Sequence, residues 1–250
     1  MFSPFITAIR TLTIIPIPGK DAESFRRSLP FFPVVGFLLA GVVSLLVMCA
    51  HYIHLNNPLL VAVVILLIET WLTGTLHLDG LGDVADAFGS RKSGDEMITV
   101  MKDSRMGAFG VCAILFAILL KTVCWYELLK INMVAVIMFS LIVSRSIQPL
   151  LITFFPKAGK QSLLNTFSSH GTVVKAGVIV SFIATVALCY LFIPLTMLGI
   201  CSISALAAAF LFALRCIHKI GGITGDCVGA ANEIAEVTVL FSGIVVSGIV

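Results

Sequence analysis

The chain has 250 residues, 59% of them hydrophobic and only 12% charged, with a mean hydropathy of +1.10. Soluble domains carry about a quarter charged residues, so this composition excludes an ordinary soluble enzyme and predicts an all-α, polytopic transmembrane helical bundle. A formal net charge of +3 leaves no basic footprint for nucleic acid.

The first fifteen residues lack a clean apolar core and carry Arg10. No cleavable signal peptide is legible there, and the first span is expected to target the chain. Seven segments approach the roughly 20 apolar residues that cross a bilayer, near 30–50, 59–76, 107–129, 131–152, 172–192, 196–217 and 228–249. With no internal repeat and no Pro/Ser-rich linker, residues 1–250 read as a single integral-membrane catalytic domain.

Seven spans sort the charges. Fourteen of the sixteen Lys and Arg residues fall on one side, Lys130 falls on the other, and Lys121 lies within a span. The positive side is the cytoplasmic one. The N-terminus is therefore expected in the cytoplasm, with the chain multi-pass in the cell inner membrane and its acidic cluster opening inward. The seven cysteines show no CxxC spacing and read as small apolar packing residues. His51 and His54 in HYIH have no acidic companion and read as an interfacial loop pair.

The second span carries Glu69 well inside it. A buried carboxylate needs a partner or a polar cleft, and Lys121 and Arg145 are the available cations. Past that span comes HLDGLGDVADAF, in which Asp79, Asp83 and Asp86 stand at i, i+4 and i+7. On a helix they share one face, and like charges so placed repel unless a cation joins them. Hard oxygen ligands suit magnesium or calcium better than zinc. The plain alternative, a solvated acidic face, fits poorly with Gly74, Gly80, Gly82, Ala85 and Ala87 around them, because glycine weakens a helix by about 1 kcal/mol against alanine. His77, just before the cluster, either orients a ligand, relays a proton or contacts phosphate, or is an interfacial residue without a role.

Lys102 and Arg105 in KDSRMG open the third span as i, i+3 neighbours. They can grip phosphate oxygens or merely anchor the span. Arg145, in Val143-Ser144-Arg145, lies deeper than snorkelling explains and calls for an anionic partner. The stretch GGITGD before the last span offers Thr224 and an anion-binding helix start. Asp226 and Glu233, seven apart, put a second carboxylate set at the same membrane side, able to complete a metal shell.

The motifs HLDGLGDVADAF, MKDSRMGAFG and GGITGDCVGAANEIAE resemble those of the cobalamin synthase family, the adenosylcobinamide-GDP ribazoletransferases of vitamin B12 nucleotide-loop assembly. ITAIRTLTIIPIP, LPFFPVVGFLLAG and the VSR of the fourth span add to the likeness, which runs nearly end to end. Ala87 stands where the family commonly has glycine. The 157–170 loop matches loosely, and no role is assigned to it.

The resemblance implies a magnesium-dependent transferase that joins the phosphate bearing cobinamide to the 5′-hydroxyl of alpha-ribazole, or to the corresponding hydroxyl of its 5′-phosphate form. GMP would leave. Asp79, Asp83, Asp86, Asp226 and Glu233 are then expected as Mg2+ ligands. Lys102, Arg105, Arg145 and Thr224 would hold phosphate, and His77, Asp83 and Asp86 would serve catalysis, with His77 or a carboxylate accepting the hydroxyl proton. The partners implied are those two substrates and the lipid bilayer, with a homo-oligomeric assembly left open. Two other classes compete: a membrane phosphotransferase of the CDP-alcohol type, and an ion-coupled transporter using Glu69, Asp83, Asp226 and Glu233.

Overall fold

The structure is a computed structural model that describes residues 2–159 and 171–248. Residues 160–170, in the loop without an expected role, and the last residue of the 228–249 span lie outside the described residues. The helices in chain order are α1 (Ser3–Leu12), a 3-10 helix (Phe25–Phe31) running into α2 (Phe32–Tyr52), α3 (Pro58–Leu72), α4 (Leu76–Gly89), α5 (Asp95–Met101), α6 (Ala108–Lys130), α7 (Val134–Phe154), α8 (Thr172–Cys189), α9 (Leu195–Ile220) and α10 (Gly225–Ser247).

Six of these are long and apolar enough to cross a membrane, and α3 with α4 makes a seventh crossing only as a pair bent by 85°. The chain is therefore an all-helical, multi-pass membrane protein. Here the 59–76 span departs from expectation, because its helix stops at Leu72. Gly74 (φ +61°) and Thr75 (φ +57°) are both left-handed, and a right-handed helix cannot run through two such residues. The 15 residues of α3 reach about 22 Å at the standard rise, short of a hydrocarbon core of about 30 Å. The chain turns by 85° after Leu72, and α4 starts from that turn.

At the centre stands α7, packed on α2, α8, α9 and α10, while α10 packs in turn on α4, α6, α7 and α9. Its Ser140, Ser144 and Ser146 are fully enclosed and bond back to carbonyls of their own helix. Small side chains of this kind let membrane helices pack closely. By contrast α6 turns Phe109, Leu115, Phe116 and Leu119 outward, the face a lipid-contacting helix needs.

The segments after α7 and before α10 meet side by side. Ala158 N–H donates to the Ile223 carbonyl at 3.0 Å, and Ile223 N–H donates to Pro156 at 2.9 Å. This link ties the end of α7 to the start of α10.

Candidate active site

A cavity of about 560 Å³ opens where these ends converge. One wall is polar: His77 and Asp79 from α4, Lys102 after α5, and Thr224 and Asp226 at the start of α10. Another wall is apolar and comes from Leu12, Phe25, Phe32, Ile98, Met101 and Ile152. Phe25 and Phe32 meet edge to face, with ring centres 6.0 Å apart.

Close helix packing assembles the polar wall. A side chain at Gly80 of α4 would come within 2.8 Å of the Asp226 carbonyl oxygen, and one at Gly229 of α10 within 3.3 Å of the His77 Cα. Only the absence of a Cβ at Gly80 lets the two backbones approach this far. The approach brings Asp79 and Asp226, 147 positions apart in the numbering, to one cavity. Asp83 is half-buried one turn further along α4 and feels the charges of Asp79, Asp226 and Asp86. Thr224 caps α10 by accepting the Cys227 N–H at 3.2 Å, so the positive end of that helix is ordered at the cavity.

The remaining expected residues lie elsewhere. Asp86 accepts from the Gly107 amide at 2.6 Å and the Gly110 amide at 2.9 Å. It therefore caps the start of α6 with both oxygens, a role the sequence did not predict. Arg105 is largely exposed and gripped by Asp103, with Nε–Oδ1 at 3.0 Å and Nη2–Oδ2 at 2.8 Å. The guanidinium and amide of Arg105 hold the Asp103 carboxyl down to about 2, which accounts for an aspartate beside a would-be phosphate ligand. Lys102 lines the cavity and Arg105 does not.

Arg145 and Glu233 depart furthest from the expected grouping. Arg145 is 1% exposed, pairs with Glu69 at 2.8 Å and contacts Glu236. Glu233 pairs with Lys121 at 2.9 Å, and Lys121 also reaches Glu236. Three carboxylates and two cations from α3, α6, α7 and α10 thus form one ion cluster inside the bundle. Charge this deep is stable only when paired, so these side chains satisfy each other and do not line the cavity. A transporter path through Glu69 and Glu233 loses its motivation for the same reason.

The sequence reading missed Gln148 and Asn232. Gln148 lines the cavity; its Nε2 is 3.1 Å from His77 Nε2 and 2.8 Å from Asn232 Oδ1. Their signal was present in the sequence: an amide in the interior of each of two membrane-length helices needs partners.

Among the described residues, no three His, Cys, Asp or Glu side chains group closely enough to enclose a metal ion by themselves. Magnesium does not require that. It is commonly held by one or two carboxylates with substrate phosphates and waters completing an octahedron. Asp79 and Asp226, facing one cavity with Lys102 beside them, fit such a partial set.

The cobalamin-5-phosphate synthase family model, CobS, matches residues 4–245. The chain belongs to this family. Among its relatives, a protein of Chlorobaculum parvum named adenosylcobinamide-GDP ribazoletransferase is 35% identical over 96% of this chain and 94% of its own length. Relatives of the same name from Chlorobium phaeobacteroides and Clostridium botulinum are 34% and 35% identical, each over 96% of both chains. No solved structure matches the chain. Family membership does not favour a CDP-alcohol phosphotransferase or a transporter.

Proposed function

We propose that the chain is an adenosylcobinamide-GDP ribazoletransferase whose reaction takes place in the cavity between α4 and α10. A ribazole hydroxyl attacks the phosphorus that bears cobinamide, the pyrophosphate P–O bond breaks, and GMP leaves. The hydroxyl differs from the one expected from sequence. A product described as cobalamin-5-phosphate keeps its 5-phosphate, so the new bond must use another ribose hydroxyl than the 5′ one.

The two walls suit the two ends of this chemistry. Lys102 and the capped start of α10 neutralise phosphate oxygens, while Phe25, Phe32 and the aliphatic wall accommodate the flat apolar base of the acceptor. Asp79 and Asp226 would hold Mg2+, with Asp83 behind them. When bound, that ion would screen the pyrophosphate and stabilise charge on departing GMP. A carboxylate of the α4 set takes the hydroxyl proton. The sorting of Lys and Arg along the sequence supports a cavity that opens to the cytoplasm.

The observation that carries this reading is the meeting of Asp79, Lys102, Thr224 and Asp226, from three separated motifs, in one cavity. The test is protein purified in detergent, given adenosylcobinamide-GDP and alpha-ribazole or its 5′-phosphate. GMP should appear together with a cobalamin product. GMP released without that product, or neither, would contradict the assignment.

A further inference from the structure

We propose that Gln148 and Asn232 are positioning residues that fix His77 as the neutral tautomer protonated on Nδ1, by relaying an orientation imposed by the buried ion cluster.

The relay starts at Glu236, which is fully buried and held by Arg145 and Lys121. Asn232 Nδ2 lies 3.4 Å from its Oε1 and 3.5 Å from Glu233 Oε1. The Glu236 carboxylate, ion-paired to both Arg145 and Lys121, accepts hydrogen bonds and does not donate them. The amide end of Asn232 that faces it must therefore be the NH2, which turns Asn232 Oδ1 the other way. That oxygen meets Gln148 Nε2 at 2.8 Å, so the Gln148 amide presents its NH2 here too. The same NH2 lies 3.1 Å from His77 Nε2.

An NH2 group only donates. His77 Nε2 must then carry a lone pair, and the ring hydrogen of a neutral imidazole sits on Nδ1. Neither amide can be turned over alone: a reversed Asn232 would set its oxygen against the Glu236 carboxylate, and a reversed Gln148 would set its oxygen against Asn232 Oδ1. His77 Nδ1 is buried without a partner among the described residues. The tautomer is dictated from the Nε2 side.

One consequence bears on catalysis and rests on the proposed transfer. The only basic nitrogen of His77 is engaged by Gln148, and the other already holds a hydrogen. His77 therefore does not take the proton of the attacking hydroxyl, and that task falls to a carboxylate.

The test is ¹⁵N magnetic resonance of histidine-labelled protein in lipid, with His77 assigned by the signal lost in His77→Asn. Wild type should show a lone-pair nitrogen at Nε2 and a protonated one at Nδ1, in a single population. Replacing Gln148 by Leu should convert this into a mixture containing the Nε2-protonated form. A wild-type spectrum with Nε2 protonated, or with two tautomers, overturns the proposal whether or not the variant folds. Failure of the transferase assay would overturn the function and leave this spectrum as predicted.

Discussion

At Asp86 a carboxylate predicted to hold metal also closes the start of a helix, accepting from the amides of Gly107 and Gly110. The i, i+4, i+7 spacing of the three aspartates was legible in the sequence, and so was their helix. What spacing does not reveal is that amides more than twenty residues away take both oxygens of the third. Asp86→Ala should therefore lose a cap worth about 1 kcal/mol and lower thermal stability in detergent. Asp83→Asn, an isosteric change at a half-buried side chain, should abolish GMP release while leaving insertion and melting unchanged. A stable but inactive Asp86→Ala, or an active Asp83→Asn, would reverse these roles.

Lys157 offers a test in pH. Its amine is half-buried beyond the end of α7 and contacts the Ile152 carbonyl, and burial pulls it down to about 8. Between that value and an ordinary lysine's 10.5 the unfolded chain binds more protons than the folded one. Stability contributed by this group thus rises with pH across that window and is at its lowest below it. Lys157→Met should flatten the rise in a melting series from neutral to alkaline pH, and an unchanged slope would count against the burial argument.

Among the elements, the contact of α4 with α10 decides the site. The glycines scattered through the aspartate motif predict close approach by something, but not whether a ligand or a backbone. The structure answers at Gly80, whose neighbour is the Asp226 backbone. A Gly80→Val change should wedge the helices apart, separating Asp79 from Asp226 and raising the magnesium concentration needed for half-maximal turnover. Unaltered metal dependence in a folded Gly80→Val protein would contradict the shared wall. The bend between α3 and α4 escaped sequence reading because Thr75 has no compositional mark of a left-handed residue. Apolar length alone could not distinguish one 18-residue run from a short helix and a turn.

For the whole molecule, the bundle is organised around charge as well as apolar packing. Glu69, Lys121, Arg145, Glu233 and Glu236 join four helices in the interior. From sequence, the need for partners was legible for Glu69 and Arg145, while Lys121 with Glu233 required knowing which helices touch. Lys121→Met leaves buried carboxylates short of a counter-charge and should cost on the order of 3–5 kcal/mol. It should show as lost expression or a lowered melting point. Lys121→Met combined with Glu233→Met should recover part of that loss, and no recovery would deny the pairing.

Asp79 and Asp226 face one cavity from different helices, and their action as one site is open to direct measurement. Magnesium titrations of GMP release for wild type, Asp79→Asn, Asp226→Asn and the double variant measure this directly. Each single change should raise the magnesium requirement or abolish turnover, and the double variant should lose much less than the sum of the two. Strictly additive losses, or an Asp226→Asn protein with the wild-type magnesium curve, would contradict a shared site.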